Sequence, residues 1–255
     1  MPHDLSEIQK NWDHLGKVDP LNAIKLDILH ENGEIENKKD SWTFEDFFLS
    51  GSNELDSVLK QVSQLNYKLS YSRALDFGCG IGRVTQALAT HFENVDGIDI
   101  APSMIDLAKS YNRSDRVHYT LNNKNSLDMF DDNTFDFIYS VGVLQHMHPR
   151  FQENYLSEFL RILSPDGLLF FELPSEYKSL KQKILFNFML QDIKFAHIFY
   201  WKKIRKGESN FASMQFYCNP RSRVEPFLLQ KGAKNIQAIR NYRDYVDYDY
   251  FVTKY

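Results

Sequence analysis

The sequence predicts an α/β domain built on a doubly wound, mostly parallel sheet, and three observations carry that prediction. Short apolar runs of strand character alternate with stretches of helical periodicity. The first strand runs into Ala74-Leu75-Asp76-Phe77-Gly78-Cys79-Gly80-Ile81-Gly82-Arg83, where three of the chain's 11 glycines fall within ten residues. The second strand ends at an acid, Asp99, 21 positions after the first of those glycines.

The 255 residues, 43% hydrophobic, are enough for one large α/β domain with appendages. A formal net charge of −4 provides no global basic field for nucleic acid. Two cysteines, Cys79 and Cys218, make neither a disulfide framework nor a metal cluster, so no metal is expected. The opening Met1-Pro2-His3-Asp4 lacks a basic-then-apolar leader pattern, and no run of about 18 apolar residues spans a membrane. A cytoplasmic protein without a transmembrane segment is the expectation. Nothing in the sequence sets an oligomeric state. The 15% of aromatic residues predicts an aromatic-lined pocket in addition to core.

Residues 1–70 read as a helical extension packed on a domain formed by residues 71–255, with closure over a ligand as a second role. Trp12, Leu15, Pro20, Leu21, Ile24 and Leu26 are scattered apolar anchors, and residues 31–40 are a polar loop. Leu55, Val58, Leu59, Val62 and Leu65 have helical spacing, with Ser52 or Asn53 as the cap. Strands are expected over 73–77, 95–100, 117–121, 135–143 and 167–173, with helices over 83–92, 102–111 and 151–163. Right-handed crossovers then place a ligand at the carboxyl ends of the strands, near the switch point beside the first. A helix opened by Asn219-Pro220 and closed by Gly232 leads to a strand pair, 233–240 and 245–253. Val246, Tyr248, Tyr250 and Val252 share one face of the last strand, and Asp247 and Asp249 the other.

The glycine turn brings backbone N–H groups and a helix N-terminus up to a ligand. Its spacing is G-x-G-x-G, and Arg83 stands where the dinucleotide fingerprint wants its third glycine. Asp76, just before the turn, would repel a pyrophosphate and attract a ligand carrying positive charge. Asp76-Phe77-Gly78-Cys79-Gly80-Ile81-Gly82 resembles the first motif of the class I S-adenosylmethionine-dependent methyltransferases. Gly97-Ile98-Asp99-Ile100 with Pro102 resembles their second, and Phe135 to Met147 their fourth, in the small-molecule, type 11/25-like branch. Leu160 to Glu172 is similar to the family's helix, Pro-Asp-Gly turn and fifth strand. Four motifs in order cover residues 73 to 174.

The resemblance implies a Rossmann-like, seven-stranded sheet whose last strand is antiparallel, and S-adenosylmethionine as cofactor, with S-adenosylhomocysteine as product. Asp76, Gly78, Cys79, Gly80 and Gly82 would hold the methionine end, with Arg83 a partner for its carboxylate. Asp99 would accept the ribose hydroxyls, Ile100 and Met104 would flank the adenine, and Asn123 or Asn122 would meet its amino group. Val141 would lie beneath the ligand. His146 is either a general base toward a hydroxyl or amine acceptor or a ring that bonds the backbone and shapes the turn. His148 is a second candidate. The implied reaction is in-line methyl transfer to a small molecule, in which alignment and exclusion of water are the protein's main contributions.

The Asn/Asp-Pro-Pro-Tyr and Pro-Cys motifs of nucleic-acid methyltransferases are absent, so no nucleic-acid partner is expected. Residues 175–208 carry eight Lys/Arg against three acids, interleaved with apolar residues. Within an insertion of about 175–213, this stretch reads as a substrate lid, a packed helical pair with solvated lysines, or a peripheral membrane contact. Two other functions stay open: a non-catalytic cofactor- or partner-binding protein, and a nicotinamide-dependent oxidoreductase.

Overall fold

The computed structural model describes residues 5–21, 43–177, 216–241 and 246–254. The predicted insertion, with its lid, helical-pair and membrane readings, lies almost wholly outside the described residues. The elements in chain order are α1 (Leu5–Val18), α2 (Phe44–Gln64), β1 (Arg73–Phe77), α3 (Arg83–Leu88), β2 (Asn94–Asp99), α4 (Pro102–Tyr111) and β3 (Val117–Leu121). There follow β4 (Phe135–Ser140), a 3-10 turn (Leu144–His146), α5 (Pro149–Ile162), β5 (Leu163–Glu176), α6 (Arg221–Gln230), β6 (Asn235–Asn241) and β7 (Val246–Thr253).

The sheet has seven strands in the order β3-β2-β1-β4-β5-β7-β6. β1 pairs in parallel with β2 and β4, β2 with β3, and β4 with β5. β7 runs antiparallel to both β5 and β6. This is the Rossmann-like arrangement expected, and strand order reverses between β1 and β4, which opens a crevice at their carboxyl ends.

Both faces of the central strands are buried, which is why those strands read as continuous apolar runs. Leu75, Ile138, Leu169 and Phe171 face Tyr155, Leu156, Phe159 and Leu160 of α5. Ala74, Val95, Phe137 and Phe170 face Val58 and Val62 of α2, Val84 and Leu88 of α3, and Ile105 of α4. β7 also sits inside the sheet: Tyr250 and Val252 join the first core and Phe251 the second. Asp247, predicted opposite the apolar face, is only 2% exposed, because that face is covered too.

The boundaries differ from the sequence reading where packing overrides local signals. α2 starts at Phe44, capped by Thr43, whose Oγ1 accepts the Asp46 N–H at 3.1 Å; Ser52 and Asn53 lie inside the helix. Buried Phe47 and Gly51 extend the stripe of Leu55, Val58 and Val62 back by two turns. α1 falls within the stretch read as a helical extension, whose bounds the sequence reading left open, and Leu5, Ile8, Trp12 and Leu15 have helical spacing. β4 stops at Ser140, and the apolar residues after it turn at Gly142, φ +74°, into the 3-10 segment. β5 begins four residues early because Leu163 already pairs with Phe135 across a bulge. No helix among the described residues is long and apolar enough to cross a membrane.

Candidate functional site

The turn after β1 is held open by three glycines with positive φ: Gly78 (+78°), Gly80 (+54°) and Gly82 (+89°). The N–H groups of Gly78 and Cys79 donate to the Ile98 carbonyl at 2.8 and 3.0 Å, and Gly82 N–H donates to the Cys79 carbonyl at 2.9 Å. Gly80 N–H donates to Asp99 Oδ2 at 2.9 Å, and Ala101 N–H to Asp99 Oδ1 at 2.8 Å. The acid after β2 therefore ties together the turns that follow two neighbouring strands. Each of its oxygens keeps a second lone pair for a ligand hydroxyl. Withdrawal from water raises the Asp99 carboxyl above the usual range, against the pull of the Ala101, Gly80 and Ile100 N–H groups.

Beneath this turn lies Asp76, 4% exposed, which accepts the Thr85 Oγ1 hydrogen at 2.6 Å. Burial pushes its carboxyl up to about 7; Thr85 and the Arg83 charge work against the shift, and Asp99 and Glu54 add to it. The group thus titrates near neutrality. Cys79 is buried with its thiol pushed well up by the same desolvation, so it is a small filler of the turn and no nucleophile.

Arg83 is placed differently from the expectation. Its Nη2 lies 2.9 Å from Glu54 Oε2 and its Nη1 3.4 Å from Ser50 Oγ, both on α2. The guanidinium is thus engaged by the N-terminal extension. Met104 is 1% exposed and packs with Phe47, Ile81 and Ala101, with Trp12 and Leu15 against them, so it is core between helices and no wall of an open cleft. Ile100 is half-buried after β2, its carbonyl accepting Gln9 Nε2 from α1 at 3.0 Å. Asn122 closes its own turn, accepting the Lys124 N–H at 3.2 Å and donating to the Ser126 carbonyl at 3.2 Å. Its neighbour Asn123 is exposed at the end of β3. Val141 is half-buried just past β4.

His146 sits in the 3-10 turn, its N–H on the Val143 carbonyl at 3.0 Å. The Trp12 ring of α1 meets it edge-on at 5.2 Å between centroids, and Phe216 meets it from the opposite end of the chain at 6.1 Å. Gln152 of α5 fixes this turn from below, donating to the carbonyls of Leu144 (3.0 Å) and Met147 (3.1 Å). Asn219 Nδ2 donates to Gln152 Oε1 at 2.9 Å, and Tyr217 N–H to the Gln145 carbonyl at 2.7 Å. The segment 216–219 is thereby bound to the turn that bears His146. His148 caps α5 instead, its Nδ1 accepting the Arg150 N–H at 3.3 Å.

The fold therefore brings Asp76, Gly78, Gly80, Gly82, Asp99, Ile100, Val141 and His146 to the carboxyl ends of β1, β2 and β4. Among the described residues no group of three or more His, Cys, Asp or Glu side chains is placed to hold a metal ion. Sequence reasoning missed Glu54, Thr85, Gln152 and Asn219. The one available signal was Gln152, a polar residue on the buried stripe of α5 beside Phe151 and Tyr155.

Residues 75–171 match the family described as "Methyltransferase domain". The chain is 38% identical over 101 residues to 24-methylenesterol C-methyltransferase 2 of Oryza sativa subsp. japonica, covering 38% of this chain and 27% of that protein. It is 30% identical over 115 residues to a ubiquinone biosynthesis O-methyltransferase of Coxiella burnetii, covering 44% and 47%. The chain spans less than half the length of these curated relatives. Among solved structures, the magnesium protoporphyrin IX methyltransferase of Synechocystis PCC 6803 with bound SAM superposes with a TM-score of 0.60. It is 14% identical, over 99% of this chain and 98% of that one, and shows the shared fold.

Proposed function

We propose that this chain, whose residues 75–171 match the methyltransferase-domain family, is an S-adenosylmethionine-dependent methyltransferase acting on a small molecule. The observation that carries this reading is the Gly80–Asp99 bond, which joins the glycine turn and the acid after β2 into one cradle beside the switch point. The cradle fits the cofactor: Asp99 has lone pairs to spare for two ribose hydroxyls, the three positive-φ glycines allow close backbone approach, and the Asp76 charge attracts an ammonium-bearing end. A dinucleotide fits less well, because Arg83 replaces the third glycine and Asp76 would oppose a pyrophosphate.

When bound, S-adenosylmethionine supplies a methyl group already activated on a sulfonium. The chain's own residues supply binding and alignment. Asp99 and Ile100 would hold the nucleoside side, and Asp76 and the turn the methionine side. Two described helices of the N-terminal stretch reach these residues, α1 through Gln9 on the Ile100 carbonyl and α2 through Glu54 on Arg83. On the acceptor side, His146 would take a proton from an O–H or N–H, with the half-buried rings of Trp12 and Phe216 beside it. Those rings favour an acceptor with an apolar body and a single reactive group. A cytoplasmic location is part of the same proposal.

The test is formation of S-adenosylhomocysteine with a panel of acceptors: sterols, phenolic quinone precursors, porphyrins, and phosphorylated or sugar-bearing metabolites. At least one acceptor is expected to support turnover, and His146→Ala is expected to slow it about 100-fold or more. Cofactor binding without product from any acceptor would favour a non-catalytic binding protein.

A further inference from the structure

Arg83 is the first residue of α3, and no acid stands in that helix's first turn. A cation there opposes the positive end of the helix dipole and lies close to the buried Asp76. The compensating charge comes from outside the α/β domain. Glu54 of α2 places Oε2 2.9 Å from Arg83 Nη2, and its Oε1 accepts a short hydrogen bond from Tyr139 Oη. Tyr139 lies on β4, directly opposite Asp76 of β1. One carboxylate thus grips the helix after β1 and the strand β4, the two sides of the switch-point crevice.

The backbone contact beside it leaves little slack. A Cβ at Gly51 would stand 2.4 Å from the Arg83 carbonyl oxygen, so α2 lies directly on the start of α3. Ser50 adds its hydroxyl to the same guanidinium at 3.4 Å. Ser50, Gly51 and Glu54 form one face of α2, and that face meets α3 where the glycine turn ends.

We propose that Glu54 is a positioning residue: through Arg83 and Tyr139 it couples docking of the N-terminal helix α2 to the cofactor turn. The coupling rests on the cofactor reading above and deepens it. By linkage, cofactor binding steadies α2 against the sheet, and loss of the Glu54 charge weakens cofactor binding without removing any group that touches the ligand.

The test titrates the full chain with S-adenosylhomocysteine, comparing wild type, Glu54→Gln, Arg83→Met and the double variant. Glu54→Gln is expected to weaken binding about tenfold, and the double variant to bind no worse than the single. Affinity within twofold of wild type, or losses that simply add, would overturn the coupling. A second readout separates positioning from general damage. The groups facing Asp76 are Thr85, Arg83, Asp99, Glu54, Cys79, Tyr119 and Tyr139. Glu54→Gln removes a negative charge from this set and Arg83→Met a positive one. The midpoint of the pH dependence of binding therefore moves down in the first and up in the second, whereas nonspecific loosening, which lets water reach Asp76, moves it down in both. Tyr139→Phe, which keeps the ion pair and deletes only the other arm, is the variant to use if Glu54→Gln does not fold, and the same tenfold loss is expected of it. If wild type binds no cofactor at all, the functional reading fails. Hydrogen exchange of the ligand-free protein still decides the coupling: faster exchange at Gly80 to Val84 in Glu54→Gln supports it, and unchanged exchange overturns it.

Discussion

Asp99 accepts the Gly80 N–H at 2.9 Å while its other oxygen accepts the Ala101 N–H at 2.8 Å. One side chain therefore sets the spacing between two turns that face the same crevice. Asp99→Asn presents an NH2 to one of those donors and leaves it unpaired. The expected cost is about 1–3 kcal/mol of stability, read by denaturant unfolding. A change within error of zero would mean that the turns keep their geometry without it.

Tyr119 occupies the space where a side chain at position 82 would begin. A Cβ on Gly82 would lie 2.1 Å from the Tyr119 hydroxyl oxygen, at a φ of +89° that L-residues rarely adopt. Gly82→Ala is expected to lose about 2–4 kcal/mol by strain and clash together. Adding Tyr119→Phe should return part of that loss, because it removes the nearest atom and leaves the φ strain. Thermal unfolding of the two variants measures both terms.

The Asp76 carboxyl, held at about 7 by burial, ties stability to pH. Between about pH 4 and 7 the folded state holds a proton that the unfolded state has released, so stability falls as pH rises through that window. Asp76→Asn keeps an acceptor for Thr85 and removes the titration. It should be more stable than wild type at pH 8 by on the order of 2 kcal/mol, with no such gain at pH 4. Unfolding curves at the two pH values check the sign. The same variant should weaken cofactor binding at pH 8, where the ionised carboxylate is the form that attracts an ammonium.

Gln152 satisfies the carbonyls of Leu144 and Met147 and accepts from Asn219, all in buried surroundings. Gln152→Leu fits the apolar stripe of α5 but strands these three groups. The expected loss is about 2–4 kcal/mol, and the His146 turn should show faster amide exchange than the rest of α5. Equal exchange in variant and wild type would show that the turn holds itself.

The sheet was legible because each central strand is an apolar run bounded by turn chemistry, and the glycine turn and Asp99 carry a fixed spacing that local sequence preserves. In the structure those residues lie at the carboxyl ends of β1 and β2, joined by the Gly80–Asp99 bond. What escaped the sequence was contact between distant segments. Glu54 reads as one more acid on an exposed-looking helix until α2 lies on α3, 29 positions later in the chain. Arg83 looked available to a ligand for the same reason. Met104 follows the second motif in register, yet Trp12 and Leu15 of α1 pack against its cluster, a contact between segments about 90 residues apart. The Trp12–His146–Phe216 contact joins three segments separated by most of the chain, so no local pattern could announce it.

The most direct measurement is calorimetric titration of the purified chain with S-adenosylmethionine, S-adenosylhomocysteine and NADH, for wild type and Asp99→Ala. Binding of the first two to wild type, with at least a tenfold loss in the variant, is the expected result. Binding of NADH in their place, or no binding of any of the three, would contradict the assignment of the Asp99–glycine cradle to this cofactor.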